Sequence, residues 1–167
     1  GWDYRGVLYA GLMLTPDGPK VIEFNCRFGD PETQAILPAM ATDFADLLWA
    51  CHEGQLDRVR LRWHDVMVVT VVLAAAGYPG PYRKGDRIEG LEAVRDLEQT
   101  VVFHAGTSRG ADRSWQTAGG RVLGVTSWDR DLVATRARVY RAVDQISFAG
   151  VQCRRDIGEK ALCGGGA

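Results

Sequence analysis

The chain has 167 residues, of which 46% are hydrophobic and 25% are charged, so it can bury a core as one ordinary domain or two small ones. The formal net charge of −1 argues against non-specific binding to nucleic acid or to a membrane surface. No apolar run is long enough to span a bilayer, so we expect no membrane segment.

The first third of the chain predicts a β-hairpin followed by helices. Two strand-like segments flank the turn residues Pro16, Asp17 and Gly18, a spacing typical of antiparallel pairing. A helix is expected to begin after Thr42 or Asp43 and to end at Gly54. The predicted elements of this part are strands at Val7–Thr15 and Lys20–Arg27 and helices at 32–40 and 43–53.

The remainder of the chain predicts a second unit that mixes strands and a helix. Its predicted elements are strands at 66–76, 101–105 and 121–126 and a helix at 129–146. We predict turns at 77–90, a loop at Ser108–Gly119 and irregular backbone at Phe148–Ala161. The four cysteines lack a CxxC or Cys/His spacing, so we interpret them as reduced thiols of a cytoplasmic protein.

The segment VIEFNCRFGDPETQ (21–34) carries the clearest functional pattern. Alternation along a strand puts Glu23, Asn25 and Arg27 on one face, and the other face, which includes Phe24, is apolar and expected to pack on a core. A carboxylate beside a carboxamide oxygen suits Mg²⁺, and a guanidinium can bind phosphate or carboxylate. Asp30 follows at a turn from which its side chain can reach such a site. The residues alone fit either a Mg²⁺–phosphate site or an amphipathic strand with a solvated face.

Two further groups have open interpretations. Arg154 and Arg155 are adjacent in an irregular segment, and such a pair suits a terminal phosphate dianion. The alternative is a surface pair that Asp156 partly neutralises. His104 is a single histidine on a predicted strand, and we interpret it as structural rather than catalytic.

Five motifs together resemble one family. The motifs are IEFNCRFGDPETQ preceded by GVLYAGLML, and then GYPGPYRKGDRIEGL, VVFHAGT, TAGGRVLGVT and CRRDIGEKAL. Their order resembles that in the glycinamide ribonucleotide synthetases, also called phosphoribosylamine–glycine ligases. The resemblance covers nearly the whole chain except its Gly-rich end. It implies an α+β fold, with the last hairpin and helices of an ATP-grasp core followed by a small mixed α/β C-terminal domain.

The resemblance also implies chemistry for individual residues. The family joins glycine to 5-phosphoribosylamine in purine biosynthesis and cleaves ATP to ADP and phosphate. Glu23 and Asn25 match the residues that hold the Mg²⁺ or Mn²⁺ bound to the ATP phosphates. Arg27 would bind a phosphate or carboxylate, and Asp30 would orient the attacking amine. In related enzymes an arginine pair similar to Arg154 and Arg155 contacts the ribose phosphate.

The resemblance implies a fragment, because the family's enzymes are more than twice as long. We expect residues 1–60 to be the C-terminal portion of the ATP-grasp domain, 61–163 the C-terminal domain and 164–167 a flexible tail. The N-terminal half would be the missing partner, and the isolated chain is expected to be inactive. The rival hypothesis is a non-catalytic α+β module that binds a phosphorylated metabolite or a partner protein.

Overall fold

The computed structural model describes residues 3–163. The backbone divides into two compact units, Gly1–His64 and Asp65–Ala167. The flexible tail expected at 164–167 lies outside the described residues. Within residues 3–163, no helix combines the length and the apolar character needed to cross a bilayer.

The first unit is a β-hairpin followed by two helices. Strands β1 (Tyr9–Thr15) and β2 (Gly18–Asn25) pair antiparallel, and Thr15 faces Gly18, so the turn consists of Pro16 and Asp17. The register shifts between Gly11 and Leu12. The elements are β1 (Tyr9–Thr15), β2 (Gly18–Asn25), α1 (Thr33–Ala39), α2 (Phe44–Glu53) and a short 3-10 helix at Leu56–Arg58.

Helix α2 begins and ends where its capping residues predict. The side chain of Asp43 accepts hydrogen bonds from the backbone N–H groups of Ala45 (2.8 Å) and Asp46 (3.3 Å). Gly54 ends the helix in the left-handed conformation at φ 69°, which glycine adopts without a Cβ penalty. Both boundaries were expected from the sequence because capping is a local interaction.

The apolar face of β2 does not pack on a core in this chain. Ile22 and Phe24 are 62% and 61% exposed, and Cys26 is also exposed. Among residues 3–64 only Gly29 is buried. A two-stranded ribbon buries its apolar side chains only when another layer covers it, and no described element of this unit does so. The expectation of a packed face is therefore wrong for this chain, and the exposed large apolar side chains of the hairpin are Leu12, Met13, Leu14, Val21, Ile22 and Phe24.

The second unit contains the buried core. Strand β7 (Arg121–Asp129) lies in the centre of a three-stranded antiparallel sheet, with β3 (Met67–Ala74) and β4 (Thr100–His104) on its two sides. Residues 122–127 of β7 are all buried, as expected for a central strand. The elements are β3 (Met67–Ala74), α3 (Leu91–Val94), β4 (Thr100–His104), β5 (Thr107–Arg109), β6 (Trp115–Thr117), β7 (Arg121–Asp129), α4 (Leu132–Val143) and α5 (Glu159–Cys163).

Helix α4 packs on β3 and β7 through a stripe of buried residues. Asp131 caps its first turn by accepting from the N–H of Ala134 at 2.8 Å. Thr135 is fully buried, and its hydroxyl donates to the carbonyl of Asp131. The other buried residues of α4 are Val139, Ala142 and Val143. The α+β architecture expected from the sequence is confirmed.

Two segments differ from their predicted backbone. The region predicted as a loop at Ser108–Gly119 contains the small antiparallel pair of β5 and β6, in which Arg109 faces Trp115. The irregular segment at Phe148–Ala161 includes the beginning of α5. Strands of three residues lack a readable period, so their pairing depends on contacts that the sequence alone does not specify.

Candidate functional site

The Glu23 and Asn25 side chains lie together on one face of β2. The Nδ2 atom of Asn25 donates a hydrogen bond to Oε1 of Glu23 at 2.9 Å. Glu23 faces Gly11 across the hairpin, and a Cβ at Gly11 would stand 3.3 Å from Cγ of Glu23. The absence of a side chain at Gly11 therefore leaves room beside the carboxylate.

The two side chains have the donor chemistry for a hard divalent cation. In the described part of the chain, no hydrogen bond is accepted by Oε2 of Glu23 or by Oδ1 of Asn25. Residues 3–163 contain no cluster of three or more His, Cys, Asp or Glu side chains suited to a metal. Mg²⁺ nevertheless commonly takes only one or two protein ligands, and water and phosphate oxygens complete its shell. One carboxylate and one carboxamide are therefore enough. The residues present fit such an ion.

A tyrosine and a second glutamate adjoin this face, and the sequence reasoning missed both. The hydroxyl of Tyr9, which faces Asn25 in the hairpin, donates to Oε1 of Glu32 at 3.2 Å. The charge of Glu32 is the main cause that raises the pKa of Tyr9, and burial raises it further. The charge of Arg27 lowers this pKa by a smaller amount. Tyr9 thus remains a neutral donor and links β1 to the residue that precedes α1. The YAG sequence at 9–11 offered no periodic signal for this role.

Arg27 and Asp30 follow the strand in the loop before α1. Arg27 donates through Nη1 to the carbonyl of Phe28 at 2.9 Å. Oδ1 of Asp30 accepts from Nε2 of Gln34 at 2.9 Å, which holds the carboxylate against the first turns of α1. Both side chains belong to the same unit as Glu23 and Asn25. Their predicted roles stay predictions.

Arg154 and Arg155 lie in the second unit, and each is paired with a carboxylate. Arg154 donates to Asp156 at 2.5 Å and Arg155 donates to Asp144 at 2.6 Å. The hydrogen bond that Arg154 donates to Asp156 raises the pKa of Arg154, and the one that Arg155 donates to Asp144 raises the pKa of Arg155. The hydroxyl of Tyr140 fixes this segment by donating to the carbonyl of Arg154 at 3.0 Å. Both arginine side chains are more than 60% exposed, so their remaining N–H groups can reach a ligand.

His104 ends β4 and stacks on Trp115. The two ring centroids are 4.0 Å apart, and Nδ1 of His104 is 3.0 Å from the hydroxyl oxygen of Thr107. Burial lowers the pKa of His104, and the positive charge of Arg109 adds to this shift. The imidazole is consequently neutral at neutral pH.

The lowered pKa of His104 predicts a pH dependence of stability. The unfolded chain binds the proton more tightly, so the stabilisation is present above the ordinary histidine pKa and is lost as the pH falls toward the lower folded-state pKa. We expect His104→Asn to lose less stability than the parent between pH 7.5 and 5.5. Urea unfolding at both pH values measures the difference. Equal losses in the two proteins would contradict the assignment to His104.

The chain matches two models of one family. Residues 68–160 match the C domain of phosphoribosylglycinamide synthetase, and residues 1–33 match its ATP-grasp (A) domain. The first match alone covers more than half of the chain and the second includes Glu23, Asn25, Arg27 and Asp30.

Individual proteins give the same result. The chain is 56% identical to a phosphoribosylamine–glycine ligase of Synechocystis over 97% of its length and 39% of that protein. It is 49% identical to the trifunctional purine biosynthetic protein adenosine-3 of Drosophila melanogaster, covering 96% of this chain and 12% of that protein. The crystal structure of phosphoribosylamine–glycine ligase from Thermotoga maritima matches with a TM-score of 0.76 and 32% identity, over 89% of this chain and 36% of that chain. The chain thus spans less than two fifths of the length of the phosphoribosylamine–glycine ligases it matches.

Proposed function

The chain belongs to the phosphoribosylglycinamide synthetase family, and from this membership we propose that it is the C-terminal portion of an ATP-dependent ligase that joins glycine to 5-phosphoribosylamine. The observation that carries the proposal is the adjacent Glu23 and Asn25 pair within the matched ATP-grasp segment. We place residues 1–60 in the catalytic domain and 61–163 in the C-terminal domain. The cytoplasmic location remains a prediction.

The proposed reaction has two steps. The glycine carboxylate attacks the γ-phosphorus of ATP, which forms glycyl phosphate and releases ADP. The amine of phosphoribosylamine then attacks the acyl carbon, and phosphate leaves as the amide bond forms. A bound Mg²⁺ or Mn²⁺ would neutralise charge on the ATP phosphates during transfer. In both steps the protein mainly positions the reactants and stabilises charge.

The residues of the first unit supply part of that positioning. Glu23 and Asn25 would provide the metal's protein ligands, since their free oxygen atoms share one face. The guanidinium of Arg27 would attract the transferring phosphoryl group or the glycine carboxylate. The Asp30 carboxylate, which Gln34 orients through its amide, would accept a hydrogen bond from the attacking amine.

The arginine pair of the second unit would bind the ribose phosphate. We expect Arg154→Ala/Arg155→Ala, in a protein that includes the full length of its relatives, to raise the KM for phosphoribosylamine by about 100-fold, because two charge-assisted contacts are lost. The KM for ATP should change far less. Steady-state kinetics with each substrate varied in turn measures both. Equal increases for the two substrates would count against a phosphate-binding role.

The arginine experiment needs a matched control. Arg141 is an exposed arginine of α4 in the same unit, and Arg141→Ala removes one positive charge away from the pair. Its kinetic constants should stay close to those of the parent. A similar rise in KM in this variant would indicate a general effect of charge.

A non-catalytic module that binds a phosphorylated metabolite or a partner protein is the second candidate. The exposed apolar side chains of the hairpin suit contact with another protein surface.

ADP release separates the two candidates. We expect no turnover from the 167-residue chain with glycine, phosphoribosylamine, ATP and Mg²⁺. We expect turnover when a separately expressed N-terminal half of a close relative is added. Activity of the chain alone would overturn the expectation of an inactive fragment. Failure to recover activity, with binding between the two halves demonstrated, would favour the non-catalytic module.

A further inference from the structure

Two hollows of about 350 and 420 Å³ lie beside β6 in the second unit and share four wall residues: Leu91, Glu92, Arg109 and Trp115. Each volume is within the range of small-molecule sites. We call this feature the Trp115 cleft. Arg154 and Arg155 are not among its wall residues.

One side of the Trp115 cleft is aromatic and apolar. Trp115 is half-buried, and the ring of His104 stacks on it with an interplanar angle of 33°. The Val94 side chain, which is 2% exposed, also lines the cleft. A flat apolar group could exchange its contact with water for contact with these side chains.

The other side carries two arginines whose charge no carboxylate balances. Among residues 3–163, neither Arg109 nor Arg113 forms an ion pair. Arg109 lies over the Trp115 ring, with Cζ 3.8 Å from the ring centroid, and one of its nitrogen atoms donates to the carbonyl of Arg113. Its position is therefore fixed while other N–H groups remain available.

The neighbouring arginines, in contrast, form ion pairs with carboxylates. Arg95 lies 3.5 Å from Glu92, and Arg87 lies 3.5 Å from Asp112. Arg109 and Arg113 line one hollow, whose other charged wall residues are Arg87, Glu89 and Glu92. These three form ion pairs, so the charges of Arg109 and Arg113 are the ones left without an ion-pair partner among the described wall residues. Two guanidinium groups beside an aromatic wall favour an anion with more than one acceptor oxygen and a flat body.

We propose that the Trp115 cleft binds a small organic phosphate of the nucleoside monophosphate class. Its flat ring contacts Trp115, and its phosphate dianion binds Arg109 and Arg113, which line the same hollow as Trp115. Nothing in this assignment depends on the ligase activity of the chain, because all of these residues belong to one unit.

Calorimetric titration of the 167-residue chain tests the proposal. The probe is adenosine 5′-monophosphate, and the two partial probes are adenosine, which lacks the phosphate, and ribose 5-phosphate, which lacks the flat ring. We expect the complete probe to bind at least tenfold more tightly than either partial probe, and inorganic phosphate to bind more weakly still. The absence of binding by adenosine 5′-monophosphate would overturn the proposal, and equal affinity for adenosine would remove the role of the arginines.

Variants locate the binding site. Arg109→Gln and Arg113→Gln should each weaken binding by about tenfold, which corresponds to roughly 1.4 kcal/mol. Arg141→Gln removes the same charge from α4 and should leave the affinity unchanged. Near-ultraviolet circular dichroism and the urea midpoint check that each variant folds. An unchanged affinity in both cleft variants, or loss of binding in Arg154→Ala/Arg155→Ala instead, would place the phosphate elsewhere and refute the assignment.

Discussion

Replacing Glu23 by alanine is expected to lower kcat by about 100-fold or more in a protein that includes the full length of its relatives, because the developing phosphoryl charge would lose its metal-centred stabilisation. Glu23 is exposed, and within residues 3–163 the hydrogen bond of its carboxylate is the one from Asn25. The thermal midpoint should therefore change little. Activity assays over a range of Mg²⁺ concentrations measure the effect, and excess Mg²⁺ should partly restore the rate.

Two controls sharpen the Glu23 experiment. Glu23→Gln keeps an oxygen ligand but removes the charge, so its rate should lie between those of the parent and the alanine variant. Asp17→Asn removes an exposed carboxylate from the turn of the same hairpin and should retain parental activity. A Glu23→Ala protein with parental kcat and unchanged Mg²⁺ dependence would show that this carboxylate does not hold the metal.

Replacing Gly90 by alanine is expected to destabilise the second unit by about 3 kcal/mol or more, from backbone strain and overpacking combined. Gly90 precedes α3 with φ at 83°, a conformation that L residues rarely adopt. A Cβ there would be 1.7 Å from the carbonyl oxygen of Gln145, so the backbone after α4 would have to move. Because proteins are only marginally stable, such a loss is a large part of the total free energy of unfolding.

Gly85 provides the matched control for Gly90. Its φ of 89° is similar, but nothing lies within 4 Å of the position that a Cβ would occupy. Gly85→Ala should therefore show only the conformational penalty, about 1 kcal/mol. Urea unfolding of both variants separates the penalty of the left-handed backbone from the cost of the contact with Gln145. Equal destabilisation would mean that the contact with Gln145 contributes nothing beyond the left-handed backbone.

Local chemistry determined most of the secondary structure in advance. The turn residues Pro16 and Asp17 predicted the hairpin, and Asp43 and Gly54 predicted the ends of α2. The two-residue spacing of Glu23 and Asn25 predicted that they share a face, and their hydrogen bond shows that they do. These features depend on neighbouring residues, so the sequence contains the information directly.

Only the tertiary structure decided the features that depend on distant segments. Tyr9 reaches Glu32 across 23 residues, and Arg109 covers Trp115 through the pairing of β5 with β6. The exposure of Phe24 likewise depends on which layers are present. Short strands, uncovered faces and clefts arise from packing between elements, and periodicity reports only the face that a residue occupies.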